Sequence, residues 1–180
     1  KPTIGIVITG NELISAGRPL AHGQVYESNA IMLQTALMES HYNQVEVYQV
    51  DDHFENTKSI LEKAIQTHDV VLVSGGISVG DYDFVGQALQ SLDVEILFYK
   101  VNQKPGKPLM AGKLNDTIIF ALPGNPAASL TCFYIYVIPT LQKMSGMTIS
   151  YETIIQKRMT HDCTVNNSRD QFLKAMVFND

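Results

Sequence analysis

The sequence predicts an α/β protein whose mostly parallel sheet is covered by helices on both faces. Over the first 146 residues, short β-branched or aliphatic runs alternate with segments of helical period. One of these runs, Val70-Val71-Leu72-Val73-Ser74, is apolar without alternation, as expected of a strand buried on both sides. At 180 residues and 45% apolar content, the chain suffices for one domain with a sizeable core, or for one domain and part of another.

The first strand is Thr3 to Thr9, broken by Gly10. A Gly- and Pro-containing loop follows, and Ser28 is the expected N-cap of a helix running to Glu39, with Leu33 and Leu37 on its buried stripe. Gln44 to Val50 reads as the second strand. A helix from about Thr57 to Thr67 carries Ile60, Leu61, Ala64 and Ile65 on one face. After the strand Val70 to Ser74 come Gly75-Gly76, a helix near Phe84 to Ser91 and a strand near Val94 to Val101. Met110 to Leu114 and Thr117 to Leu122 are separated only by Asn115-Asp116, the spacing of a hairpin. Pro126 opens the last long helix, which runs to Met144 and in which Pro139 predicts a kink or an early stop.

From Thr148 the helical period disappears. Tyr151 to Met159 and Gln171 to Phe178 read as strands around a polar stretch, Thr160 to Asp170. That remainder is too short to bury a core. With no stop signal at Val177-Phe178-Asn179-Asp180, it is expected to begin a truncated small β domain over 147–180, behind an α/β domain over 1–146.

A net charge of −5 and a pI near 5.5 argue against nucleic acid as the main partner, so any anion site must be a local cluster of cations and backbone amides. No apolar run reaches the 18 or so residues that span a bilayer, and the first residues lack the order of a signal peptide. A cytoplasmic protein is expected. Cys132 and Cys163 have neither metal-site nor disulfide spacing and read as ordinary thiols. The five histidines form no HxH or HxxxH pair, which argues against zinc.

In an open parallel sheet, ligands bind beyond the carboxyl ends of the strands. Five loops there carry chemistry. The first holds Thr9, Gly10 and Glu12, and the second Asp51. In the third, Ser74-Gly75-Gly76-Ile77-Ser78-Val79-Gly80-Asp81-Tyr82-Asp83, glycine-permitted positive φ lets successive amides form an anion nest, with Ser74 and Ser78 as hydroxyl donors. Asp81 and Asp83 beside such a nest, with Asp51 on the neighbouring strand, suit a hydrated magnesium ion bridging to phosphate; helix capping is the alternative for each acid. The fourth loop places Lys100, Lys104 and Lys107 within eight residues, and Pro105 and Pro108 restrict where the ammonium groups point. In the fifth, Pro123-Gly124-Asn125-Pro126 opens a helix whose free N–H groups favour negative charge, with Ser129 one turn in.

TGNEL, GGISVGDYD, KPGKP and LPGNPAAS, in this order over about Thr3 to Gly146, resemble the MoeA family of molybdopterin molybdotransferases, which includes a domain of gephyrin and plant homologues. The segment Ser168 to Leu173 looks like the start of that family's carboxyl-terminal β-barrel. The resemblance implies a three-layer α/β/α molybdopterin-binding fold. It also implies a reaction in which molybdate attacks adenylylated molybdopterin and AMP leaves with the help of Mg²⁺. Carried over by motif position, Glu12, Asp51, Asp83, Lys100 and Lys104 are the candidate catalytic residues, and Asp51 and Asp83 the metal ligands. Lys107 joins them as an anion contact, and Pro123 and Pro126 shape the adjoining loop.

Position 11 is Asn where the family often has Asp, which removes a carboxylate beside the phosphate site. Family members are dimers whose leading domains complete the partner's site; those domains lie outside this sequence, and turnover by this chain alone is therefore in question. Two alternatives stand beside this reading. One is the adenylyltransferase of the preceding step, itself a candidate partner, and the other a non-catalytic scaffold or regulatory domain of the same fold.

Overall fold

The computed structural model describes residues 1–76, 84–148, 155–164 and 168–178. Among the described residues, strands and α-helices follow one another as β1 (Ile4–Thr9), β2 (Leu13–Ile14), β3 (Val25–Tyr26), α1 (Asn29–Glu39), β4 (Val45–Val50), α2 (Phe54–Thr67), β5 (Val70–Ser74), α3 (Phe84–Ser91), β6 (Glu95–Tyr99), β7 (Gln103–Lys104), β8 (Met110–Leu114), β9 (Thr117–Leu122), α4 (Pro126–Cys132), α5 (Ile138–Met144) and β10 (Asp170–Gln171).

Six of the strands form one sheet in the order β4-β1-β5-β9-β8-β6. β4, β1, β5 and β9 are mutually parallel, whereas β8 pairs antiparallel with β9 and with β6. The expected hairpin is therefore present. Its turn residue Asn115 sits at φ 53, a left-handed conformation that Asn tolerates better than most residues.

Both faces of the sheet are covered, and strand alternation sorts the core. Ile4, Ile6 and Ile8 of β1 face α1 (Leu33, Leu37) and the last helix (Phe133, Val137, Leu141). Val7, Val71 and Val73 face α2 and α3, where Leu61, Ala64, Val85 and Leu89 lie. The three-layer α/β/α architecture follows. Filling each layer are aliphatic side chains that are almost completely buried.

Three local expectations are refined. Ser28 is the N-cap residue of α1, which ends at Glu39 as expected, but its side chain makes no capping bond; Glu27 reaches forward instead, and its Oε1 accepts from the Ala30 amide at 2.8 Å. α2 starts at Phe54 rather than Thr57, and Phe54 packs against the core. Pro139, expected to kink or shorten the last helix, does not stop it but coincides with a break in its α hydrogen bonding. Its missing N–H and ring would disrupt an ordinary α turn at Ile135. The strain is taken up by a π turn over Phe133–Val137, in which the Ile138 amide donates to the Phe133 carbonyl five residues back.

Beyond Gly146 the expected strands are mostly not formed. Residues 151–154 lie outside the described set, 155–159 are not strand, and of Gln171 to Phe178 only Gln171 lies in a strand, β10. A strand needs a partner for its ladder, and among the described residues the one available is β7, which β10 joins in parallel. The start of a barrel is not seen in these residues.

Candidate functional site

Because β6 runs antiparallel to β8 and β8 antiparallel to β9, β6 points the same way as the parallel strands. The loops after β1, β4, β5, β6 and β9 consequently emerge at one edge of the sheet, and these are the five loops the sequence singled out. From β1 the chain moves outward to β4, then crosses back to β5 and onward to the other half of the sheet. The switch point, where a crevice opens in such sheets, is between β1 and β5.

Thr9 and Gly75 meet in that crevice. Gly75 has φ +96, and any Cβ on it would run into the Thr9 carbonyl oxygen, so only glycine allows this approach. Gly124 of the fifth loop lies beside Gly75. Asn29, first residue of α1, ties these pieces together: its Nδ2 donates to Ser74 Oγ at 2.7 Å and to the Gly124 carbonyl at 2.8 Å. Among the described residues, three buried polar atoms on the elements around this crevice lack a hydrogen-bond partner: Thr9 Oγ1, Asn29 Oδ1 and Ser129 Oγ. Buried polar groups in folded proteins are normally satisfied, so such a group marks a place where a ligand or water completes the structure.

The other predicted residues fall around this centre. Gly76 packs close to Thr9 Oγ1, both it and Gly10 have positive φ, and Glu12 is exposed next to Gly10. Asn11, at the position where the family often has Asp, pairs with Asp52: the Asp52 amide donates to Asn11 Oδ1 at 3.0 Å, and the Asn11 amide to Asp52 Oδ2 at 3.2 Å. This clasp joins the first two loops. Asp51 is exposed, and its Oδ1 accepts from Asn56 Nδ2 at 2.9 Å, so one carboxylate oxygen braces the start of α2. Among the described residues no three carboxylate, His or Cys groups converge as a cation site. Ser78, Gly80, Asp81 and Asp83 lie outside the described residues.

Pro123 is buried, while Asn125 and Pro126 are exposed at the start of α4. Asn125 Oδ1 accepts from the Ala127 and Ala128 amides, so two of the N–H groups expected to attract an anion are satisfied by the helix's own cap.

Lys100 has its ammonium 4.8 Å from the Tyr99 ring centroid, a cation–π contact that holds it toward the edge strand. Lys104 and Lys107 are exposed, and among the described residues neither has an acidic partner. Their loop is tied at its base by the Lys100 amide to the Leu109 carbonyl and the Val101 amide to the Lys107 carbonyl, both at 2.9 Å. Behind it lies Cys132, whose thiol burial pushes up to about 11 and so keeps protonated. Burial likewise raises the Tyr136 phenol. A cavity of about 330 Å³ beside Lys1, Pro2, His41, Asn43 and Gln44 lies at the opposite, amino edge and carries none of the five loops.

A family model described as a probable molybdopterin binding domain matches residues 5–143. The chain belongs to this family. Its sequence is 34% identical to a molybdopterin molybdenumtransferase of Staphylococcus epidermidis, over 97% of this chain and 42% of that protein. To the molybdenum cofactor synthesis protein cinnamon of Drosophila melanogaster it is 33% identical, over 98% of this chain and 30% of that one. The solved MoeA protein of Pyrococcus horikoshii superposes with a TM-score of 0.70 at 32% identity, covering 81% of this chain and 36% of that one. The tungsten cofactor synthesizing protein MoaB of Pyrococcus furiosus, at TM-score 0.59 and 17% identity, shares the fold. The resemblance to MoeA read from the four motifs therefore holds, and this molybdopterin-binding domain spans less than half the length of these curated relatives.

Two residues of the domain were missed in the sequence. Asn29 stood beside Ser28 at a helix start, where a cap was expected, and Gln103 stood among the lysines. The available signal was weak in both cases: a polar residue at a position that strand or helix periodicity turns inward.

Proposed function

We propose that this chain is the molybdopterin-binding domain of a molybdopterin molybdenumtransferase, in which molybdate attacks adenylylated molybdopterin and AMP leaves. The observation that carries the proposal is the edge just described: buried hydroxyl and amide oxygens around the Thr9–Gly75 crevice and, on the adjoining loop, two exposed lysines, all of them without a partner among the described residues.

Cleavage of the phosphoanhydride places growing negative charge on the departing phosphate. Lys104 and Lys107, on a loop closed by backbone hydrogen bonds, stabilise that charge with little reorganisation. Thr9 and Ser129 offer hydroxyl donors, and Asn29 Oδ1 an acceptor for an O–H or N–H of the substrate. Asp51 and Asp83 would hold magnesium; the hard carboxylate oxygen of Asp51 at the end of β4 is suitable chemistry for it, and a bound Mg²⁺ supplies further neutralisation of phosphate charge. Glu12 and Asp81 orient the hydrated ligand from the flanking loops. In the longer protein we propose a homodimer in which the leading domains complete the site, and the molybdopterin adenylyltransferase as the partner that hands over its product. No described helix is long and apolar enough to cross a membrane.

Incubation of the protein with molybdate and adenylylated molybdopterin, following AMP by chromatography, tests the proposal. AMP release that requires molybdate supports it. ATP consumption with free molybdopterin would instead mean the adenylyltransferase reaction, and binding of neither pterin in calorimetry would mean a scaffold.

A further inference from the structure

Gln103 of the lysine loop is buried, at 2% exposure, and its carboxamide is used at both ends. Its Nε2 donates to the Pro105 carbonyl at 2.9 Å and lies 3.6 Å from Cys132 Sγ, while its Oε1 accepts from the Tyr136 hydroxyl at 2.6 Å. Cys132 and Tyr136 stand on the last helical layer, so one side chain bolts the loop to that layer. Gly106 completes the seat: at φ +100, any Cβ would strike Cys132 Sγ and come within 2.8 Å of Gln103 Nε2.

Two consequences follow for the lysines. Along a strand successive side chains point to opposite sides, so burying Gln103 in β7 turns Lys104 outward. An apolar residue could fill the same space without needing buried partners. A carboxamide that must donate and accept at once also fixes the rotation of the loop, and with it the direction of Lys107 on the far side of Pro105-Gly106. The trailing segment adds a clamp from outside, since the Phe172 amide donates to the Lys104 carbonyl at 2.9 Å and Asp170 and Gln171 pair with Gln103 and Lys104.

We propose that Gln103, held by Tyr136, is a positioning residue that aims Lys104 and Lys107 together at the anion of the substrate. The inference rests on the reading of this edge as a phosphate-binding site. AMP is the probe, titrated into the full chain at low ionic strength. Gln103→Met keeps side-chain length and apolar packing and removes both hydrogen bonds, while Tyr136→Phe removes one. AMP affinity is expected to fall about three- to tenfold in Gln103→Met and by less in Tyr136→Phe, on the scale of one or two neutral hydrogen bonds. Lys107→Ala should then cost less in the Gln103→Met background than in the parent, because the lysine is already misdirected.

Hydrogen exchange of the Val101 amide, which donates across the loop base, gives a second and ligand-free readout. It should quicken in Gln103→Met by more than any change in global stability. AMP affinity within twofold of the parent, together with unchanged Val101 exchange, would overturn the inference. Were the parent itself to bind no AMP, the phosphate-site reading would fall, and Val101 exchange alone would decide whether Gln103 holds the loop.

Discussion

Replacing Asn29 by leucine keeps the volume at the start of α1 and removes the bridge across the crevice. The buried Ser74 hydroxyl loses a donor at 2.7 Å, and the partly buried Gly124 carbonyl one at 2.8 Å. Leaving a buried acceptor unsatisfied costs about 1–3 kcal/mol, and losing a partly hydrated one about 0.5–1.5 kcal/mol, so the sum is about 2–4 kcal/mol. For a chain of this length that is a fall of roughly 5–15 °C in melting temperature. The chain has no tryptophan, so far-UV circular dichroism against urea is the suitable assay. The midpoint should drop with little change in slope, and AMP affinity should fall as well, because the third and fifth loops are no longer held together. A loss below about 0.5 kcal/mol would refute the reasoning, since water would then satisfy both acceptors as well as Asn29 does.

Lys107→Ala should weaken AMP binding roughly tenfold or more at low salt and less at high salt, as a lost charged hydrogen bond of about 1.5–3 kcal/mol would; unchanged affinity in calorimetry would make these lysines a solvated face. Asp83→Asn, made in the protein with its leading domains present, should cut Mg²⁺-dependent AMP release by orders of magnitude while leaving the melting temperature nearly unchanged; full activity and unaltered magnesium dependence would defeat the metal role. His68 is held below its ordinary pKa, chiefly by burial and against the pull of Glu46 and Asp69. The unfolded chain thus binds the extra proton more readily, so stability should be complete above the unfolded pKa of about 6.5 and decline as pH falls below it. Thermal unfolding across that window should show a shallower decline in His68→Gln. Cys163 is exposed and Cys132 is buried with a raised pKa, so a disulfide reagent at pH 8 should label one thiol quickly and the other only on unfolding; two fast thiols would contradict the burial.

The sequence by itself determined the succession of elements, because strand and helix periodicities and turn residues are local properties. The buried run Val70 to Ser74, the Asn115-Asp116 hairpin and the helix from Phe84 to Ser91 all lie where their residues placed them. It also singled out the five loops, because glycines, lysines and prolines clustered just after strand ends stand out locally. Tertiary structure decided what those loops do together. Strand order set β1 between β4 and β5, so Thr9 and Gly75 meet, and two reversals brought the lysine loop to the same edge. Asn29 acts across 45 and 95 residues of sequence and Gln103 across 33, separations over which no periodicity carries information. Pro139 was legible as a disturbance, but the π turn that absorbs it depends on the packing of Phe133 and Val137 against the sheet. Gln171 to Phe178 has the composition of a strand, yet among its described residues only Gln171 lies in one and the Phe172 amide adds a single bond to the Lys104 carbonyl, because composition supplies the side chains of a strand and only a neighbouring backbone supplies its hydrogen bonds.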